Sequence, residues 1–198
     1  MIIKRIIARN YRTLENVQID LSGYYTAISG KNNAGKSNII RALRTVLSPF
    51  HRLRLRGTSI FGNSGMDWKD EVTSWKKDSK EEIFVCIELE IHKDCDSSIY
   101  KFFTEFILKD TSDFTISEVE ILKVEYARTH KNETTYSIHL GEKEIFDDFQ
   151  KKEVLKRLRN SECLIFHNST NYDFNPFEDN MDRITNFISS SDMDAINK

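Results

Sequence analysis

Cysteine, proline and glycine are all scarce in this 198-residue chain, which holds three, two and seven of them. Cys86, Cys95 and Cys163 are odd in number and form no Cys-x-x-Cys pair, so neither a disulfide framework nor a structural zinc site is indicated. With so little proline and glycine, no flexible linker marks a domain boundary. No apolar run approaches the ~18 residues that a membrane-spanning helix needs. The apolar opening is broken at Lys4 and Arg5, too early for a signal-peptide core. A reducing cytoplasm, without membrane contact, is the expected setting. The most informative shortage is of acid. Between Leu21 and Met66 there is no Asp or Glu, while seven Lys and Arg residues occur there. Residues 1–66 carry 11 basic and two acidic groups, a net +9, and residues 67–198 carry 18 and 29, a net −11, so the overall −2 conceals two opposite halves. The first third is arranged to meet anions.

What is present reads as alternating strands and helices. Ile2–Ala8 and Val17–Leu21 have strand patterns with a turn over Asn10–Asn16, and Tyr25–Ser29 reads as a short buried strand. Ile39, Ile40, Leu43, Val46 and Leu47 form one apolar helical stripe, which Ser48-Pro49 ends. Residues 50–80 are polar and irregular. Glu82–His92 alternates cleanly, with Glu88 and Glu90 on the polar face. Ile99–Leu108 comes next as an aromatic-rich helix, then Phe114–Tyr126 and Thr134–Leu140 as strands, Phe149–Leu158 as helix and Cys163–Phe166 as a short buried strand. Phe177–Ile188 has helical character. The expected division is 1–50 for strands, phosphate loop and first helix, 51–80 for a variable loop, 81–170 for an antiparallel β insert with helices, and 171–198 for a polar tail.

One segment carries recognisable chemistry. Gly30-Lys31-Asn32-Asn33-Ala34-Gly35-Lys36-Ser37 fits G-x-x-x-x-G-K-[ST] in full. Phosphates need several backbone N–H groups aimed inward at once, and a compact glycine-bearing loop lets the main chain come that close. The loop opens onto a helix N-terminus, whose unpaired N–H groups and dipole favour anions. Lys36 would reach the β- and γ-phosphates and the Ser37 hydroxyl would ligate Mg²⁺. The plainer alternative is a glycine-punctuated turn that caps a helix. A strand pattern before the loop and an amphipathic helix after it favour ATP binding.

Asn10-Tyr11-Arg12-Thr13-Leu14, Val17-Gln18-Ile19-Asp20-Leu21, then Ile28-Ser29-Gly30 through Ser37-Asn38 and Ala42-Leu43 together resemble the N-terminal ATPase segment of the RecF/SMC-like ABC ATPases. Within that group the sequence is most similar to the overcoming-lysogenization-defect (OLD) nucleases and related anti-phage defence ATPases. The resemblance is tight over residues 1–47 and only topological over 82–168. It implies an α/β P-loop NTPase fold, the N-terminal lobe of an ABC/SMC-like head with an antiparallel β insert. It also implies ATP and Mg²⁺ as ligands, an ATP-dependent dimer of heads, and DNA, a partner defence protein or a nuclease as further partners. Asn32 and Asn38 match positions typical of the group. Arg12 falls on the basic position of its strand-turn motif, which approaches the nucleotide phosphates; without the resemblance it is a solvated turn arginine. Asn168 stands where the group has its Q-loop glutamine, although an Asn/Ser/Thr turn after a strand is the plainer reading.

Beyond the first helix the sequence departs from that pattern. Cys163-Leu164-Ile165-Phe166 leads into His167-Asn168, so no aliphatic run ends in the Asp-Glu of a Walker B motif. The signature motif, the switch histidine and a Toprim-type acidic cluster cannot be placed either. The chain is therefore expected to be the N-terminal lobe of a longer protein, with hydrolysis depending on residues elsewhere. A nucleotide-binding assembly module and a P-loop nucleotide kinase are the competing readings; two strands before the loop speak against the kinase. Arg52, Arg54 and Arg56 alternate with leucines, a pattern that suits phosphate contacts along nucleic acid or another acidic partner and equally suits an edge strand with solvated arginines. No aromatic residue interleaves them, which weakens a stacking surface. The five histidines show no ligand spacing, and Trp68 and Trp75 read as local packing more readily than as a docking surface.

Overall fold

A computed structural model describes residues 1–21, 23, 25–31, 34–47, 67–108 and 117–160. All of these belong to the compact unit Met1–Ser161; the second unit, Glu162–Lys198, lies outside the described residues.

Among the described residues six strands form one fully antiparallel sheet in the order β2-β1-β3-β4-β5-β6. They are β1 (Ile2–Tyr11), β2 (Leu14–Asp20), β3 (Ile83–His92), β4 (Val119–Arg128), β5 (Thr134–Leu140) and β6 (Lys143–Ile145). The strand that opens the antiparallel segment, β3, pairs directly with β1, so β3 to β6 extend the sheet that the N-terminal hairpin begins. Period-2 alternation separates two faces. The inner face collects Ile6, Ala8, Val85, Ile87, Leu89, Leu122, Val124, Ile138 and Leu140, all buried. The outer face carries a row of polar partners across all six strands, Asp20, Arg5, Glu88, Lys123, His139 and Glu144. Neighbours of opposite sign in such a row stabilise the pairing and keep that face wet. Arg5 is paired with both Asp20 and Glu88. Cys86 sits between these charges on the same face but is itself buried, and burial pushes its thiol up to about 12.

Two helices contact the sheet and each other. Helix α1 (Lys36–Leu47) buries Ile39, Ala42, Leu43, Val46 and Leu47, and α4 (Asp148–Asn160) buries Val154, Leu155 and Leu158. Both lie along the sheet, α1 at β1, β3 and β4 and α4 at β5, and they touch one another. Arg159 of α4 joins them: its Nε donates to the Val46 carbonyl at 3.0 Å and its Nη2 donates to the Tyr136 hydroxyl at 3.1 Å. A cation on the last carbonyls of α1 suits the negative end of that helix. Short elements complete the described part: α2 (Trp68–Glu71), a 3₁₀ segment over Ser74–Ser79, and α3 (Ser97–Phe102), which widens into a π-helical turn over Phe103–Ile107.

Several expectations need correction. Tyr25–Ser29 forms no strand; Tyr25 is 86% exposed. An interior strand is buried only when other strands pair along it, and all six strands here pair among themselves. The turn expected over Asn10–Asn16 shrinks to Arg12-Thr13, because Tyr11 and Leu14 pair and are both buried. Strand β4 runs over Val119–Arg128, while residues 114–116 of the strand expected there lie outside the described residues, and β6 and α2 are too short for periodicity to reveal. Trp68 is buried packing, its indole N–H donating to the Glu81 carbonyl at 3.2 Å. The expected strand Cys163–Phe166 and helical tail Phe177–Ile188 lie outside the described residues. No helix among the described residues is long and apolar enough to cross a membrane.

Ile87 is fully buried and aligned with Ile6 on one side and Val124 on the other. Ile87→Ala is expected to lower the unfolding free energy by about 2–5 kcal/mol, the range for truncating a buried aliphatic side chain, as read by urea denaturation monitored by circular dichroism.

Candidate phosphate-binding site

The site begins where the chain leaves the exposed stretch 25–31 and enters α1. The Ala34 amide donates to the Lys31 carbonyl at 3.2 Å, and the amides of Asn38 and Ile39 donate to the Gly35 carbonyl at 2.9 and 3.2 Å, closing the first helical turn. Gly30, Lys31, Ala34 and Ser37 are exposed, Lys36 and Asn38 half-buried, and Gly35 buried. Asn32 and Asn33 lie outside the described residues, as do Arg52, Arg54, Arg56 and Asn168.

Lys36 folds back over the loop. Its Nζ donates to the Gly30 carbonyl at 2.7 Å and to the Lys31 carbonyl at 2.6 Å. A lysine ammonium has three donors, and among the described residues the third is left for an anion. The cation is thus held at the start of the loop before any ligand arrives, which lowers the ordering cost of binding. The Ser37 hydroxyl is exposed in the first turn, where a hydroxyl can join the shell of a hard cation. Among the described residues no group of His, Cys, Asp and Glu is arranged to hold a metal by itself. Ser37 would therefore share such an ion with phosphate oxygens.

The loop rests on the β1–β2 turn, a contact that sequence reading missed. Gly35 has φ +87°, and a Cβ built on it would lie 2.9 Å from Thr13 Oγ1 and 3.3 Å from Leu14 Cδ2. Glycine is required there on both counts, conformation and space. Asn38 Nδ2 donates to Thr13 Oγ1 at 2.8 Å, and Arg41 Nη1 donates to Asn38 Oδ1 at 3.0 Å. Arg41 thus fixes the side chain that ties α1 to the turn. Arg12 occupies the same turn with φ +54° and a half-buried side chain, adjacent to Thr13. On its other side the Tyr11 hydroxyl lies 3.0 Å from Thr45 Oγ1 on α1, both buried. Burial pushes the Tyr11 phenol above its ordinary value, with Thr45 and Arg12 acting in the opposite sense. Asn38 and Arg12 are thus placed at one end of the sheet with Gly35 and Lys36, and Thr13 joins them. Its only sequence signal was its position beside Arg12.

The family model described as AAA ATPase domain matches residues 1–198. The chain belongs to that family. Its fold is that of a P-loop NTPase, here mixed α/β with an antiparallel sheet, and ATP binding is the function that membership carries. Among solved structures, one from work on "ATP-driven dimerization and DNA stimulated activation of SMC ATPases" is 15% identical to this AAA ATPase domain. The match covers 92% of this chain and 98% of that one at a TM-score of 0.47. At that distance the family model alone carries the assignment. No curated protein matches the sequence significantly.

Gly35→Ala is expected to weaken ATP binding by about tenfold or more in a titration, since the left-handed conformation alone costs a Cβ-bearing residue about 1–2 kcal/mol. Adding Thr13→Ala removes the close contact but not the backbone strain, so it should restore only part of the loss.

Proposed function

We propose that residues 30–38 bind the phosphates of ATP with Mg²⁺, in the N-terminal part of a RecF/SMC-like ATPase. Lys36 supports this reading most directly: its ammonium is held across the loop by the Gly30 and Lys31 carbonyls, at the head of a helix whose first turn contributes free N–H groups. In this reading Lys36 neutralises the β- and γ-phosphates, backbone N–H groups of residues 33–37 cradle them, and Ser37 holds Mg²⁺, which when bound neutralises phosphate charge. Arg12 adds a second cation from the β1–β2 turn. Asn38 orients the loop from behind through Thr13.

The finer assignment rests on the sequence motifs of residues 1–47. They favour an ATPase of DNA metabolism or anti-phage defence, with OLD nucleases as the most similar group. Two heads would close on ATP. The Walker B carboxylates and signature motif do not occur in these 198 residues, so hydrolysis is assigned to the completed parent protein. The arginines at 52, 54 and 56 are the proposed contact for DNA or an acidic partner, and Asn168 is the proposed Q-loop position beside Mg²⁺.

Removing the Lys36 ammonium deletes charge-assisted bonds worth up to about 3 kcal/mol. Lys36→Ala should therefore cut ATP affinity by about a hundredfold in equilibrium titration, with the thermal melt unchanged. Affinity kept within a few-fold of the parent would reject the assignment.

A further inference from the structure

Residues 71–73 lie along the end of β1 as a short strap. The Arg12 amide donates to the Glu71 carbonyl at 2.6 Å and the Thr73 amide donates to the Asn10 carbonyl at 3.0 Å. Between them Tyr11 and Val72 face each other in an antiparallel bridge. The residues on either side of that bridge, Asn10 and Arg12, have φ +53° and +54°. Left-handed conformations are unfavourable for residues that carry a Cβ, and they persist only where the surroundings over-determine them. Here the strap supplies that determination, with one hydrogen bond to each strained residue.

The strap is itself fastened from β4, two strands away from β1 in the sheet. Glu71 is 1% exposed, and its Oε2 accepts from Arg128 Nη1 at 2.8 Å and from the Tyr126 hydroxyl at 3.5 Å, both on β4. At the other end of α2 the Trp68 amide donates to Asn132 Oδ1 at 2.7 Å, beside the indole bond to Glu81. Burying a carboxylate with a guanidinium adds little to stability alone, because desolvation offsets most of the attraction. What such a pair does well is fix one geometry. The geometry fixed here is the height of the Glu71 carbonyl against the turn that carries Arg12 and Thr13.

We infer that Glu71 is a positioning residue for the phosphate site: its buried pairing with Arg128 holds the carbonyl that locks Arg12 in its left-handed conformation, and so sets Arg12 and Thr13 against the loop. This rests on the reading of residues 30–38 as the nucleotide site. A continuous run of contacts supports it, from Arg128 to Glu71, from Glu71 to Arg12, and from the adjacent Thr13 to Asn38 and Gly35. Glu71 does not meet the nucleotide in this scheme; it acts through the turn.

The full chain carrying Glu71→Gln or Arg128→Gln tests the proposal by two measurements. Amide hydrogen exchange should accelerate at least tenfold at Arg12 and Thr73 and stay unchanged at Ile87 and Val124 in the β3–β4 ladder. ATP affinity should fall about tenfold, and Arg128→Lys, which keeps the charge, should restore most of it. In an Arg12→Ala/Thr13→Ala background, Glu71→Gln should cost nothing further. If the glutamine variants unfold, the ladder amides reveal it, and Arg128→Lys with and without Arg12→Ala/Thr13→Ala carries the test: its residual loss must vanish in that background. Faster exchange at Arg12 with ATP affinity intact would overturn the proposal and leave the site standing, provided Lys36→Ala still cuts affinity about a hundredfold. Losses that multiply in the combined variant overturn it too. ATP affinity retained by Lys36→Ala overturns both readings.

Discussion

Helix α1 buries five aliphatic side chains against the inner face of the sheet, and the proposed phosphate-binding segment, residues 30–38, runs into the first turn of that helix. The location of the loop is therefore decided by packing that lies one to three turns away from it. Each buried Ile, Leu or Val contributes about 1.5–3 kcal/mol relative to exposure, far more than any single hydrogen bond in the loop. The helix cannot slide along the sheet without giving up that burial. Its far end is held as well, by Arg159 on the Val46 carbonyl. Loop residues that are themselves exposed thus inherit a fixed position from a stripe that never touches the ligand.

Packing alone leaves a helix free to turn about its axis by small amounts, and two hydrogen bonds along one face of α1 oppose that. Thr13 reaches Asn38 in the first turns and Tyr11 reaches Thr45 two turns further on. Both come from the same hairpin, on either side of Arg12. Buried glycine at position 35 lets the loop sit directly on the turn. The result is a two-point attachment in which the helix, the loop and the turn that carries Arg12 share one reference frame. Preorganisation of this kind favours anion binding because little side-chain freedom is lost when the ligand arrives.

Legibility in the sequence tracked the range of the forces involved. The phosphate loop was legible because its chemistry is local: spacing of glycines, a lysine, a hydroxyl and a helix start. Strand β3 and helix α1 were legible because long periodic runs report a single buried face. Tyr25–Ser29 misled because an apolar run becomes a strand only beside other strands, and no local signal encodes the neighbours. Glu71 was invisible for a related reason. It sits in a run with Asp67 and Asp70 that reads as solvated, yet it is buried by a tyrosine and an arginine more than fifty residues away. Thr13 stood in the strand-turn segment beside Arg12, but nothing local assigned it a role; that arises from the closeness of Gly35, which requires the tertiary fold.

The charge asymmetry along the chain takes on a more specific meaning from this arrangement. A carboxylate about 6 Å from a phosphate costs about 3 kcal/mol per unit charge at an effective dielectric of about 20, so the acid-free stretch from Leu21 to Met66 protects the site from repulsion. The basic residues are not uniformly free to attract, however. Arg5 is committed to Asp20 and Glu88 on the outer face, and Arg41 is committed to Asn38. Lys31 and Lys36 lie in the loop itself, and Arg12 stands in the turn beneath it. Two of the acids that follow the acid-free stretch are also managed: Glu71 is matched by Arg128, and Asp67 accepts from Asn132 Nδ2 at 2.7 Å, a bond that holds its carboxyl below the usual range. A buried acid placed one residue-contact from Arg12 would weaken a phosphate site if it were unpaired. Pairing it with an arginine from β4 removes that field while keeping its backbone carbonyl as a support. The same ion pair thereby serves geometry and electrostatics at once, which explains why a charged pair stands here in place of the apolar packing that would fill the space as well.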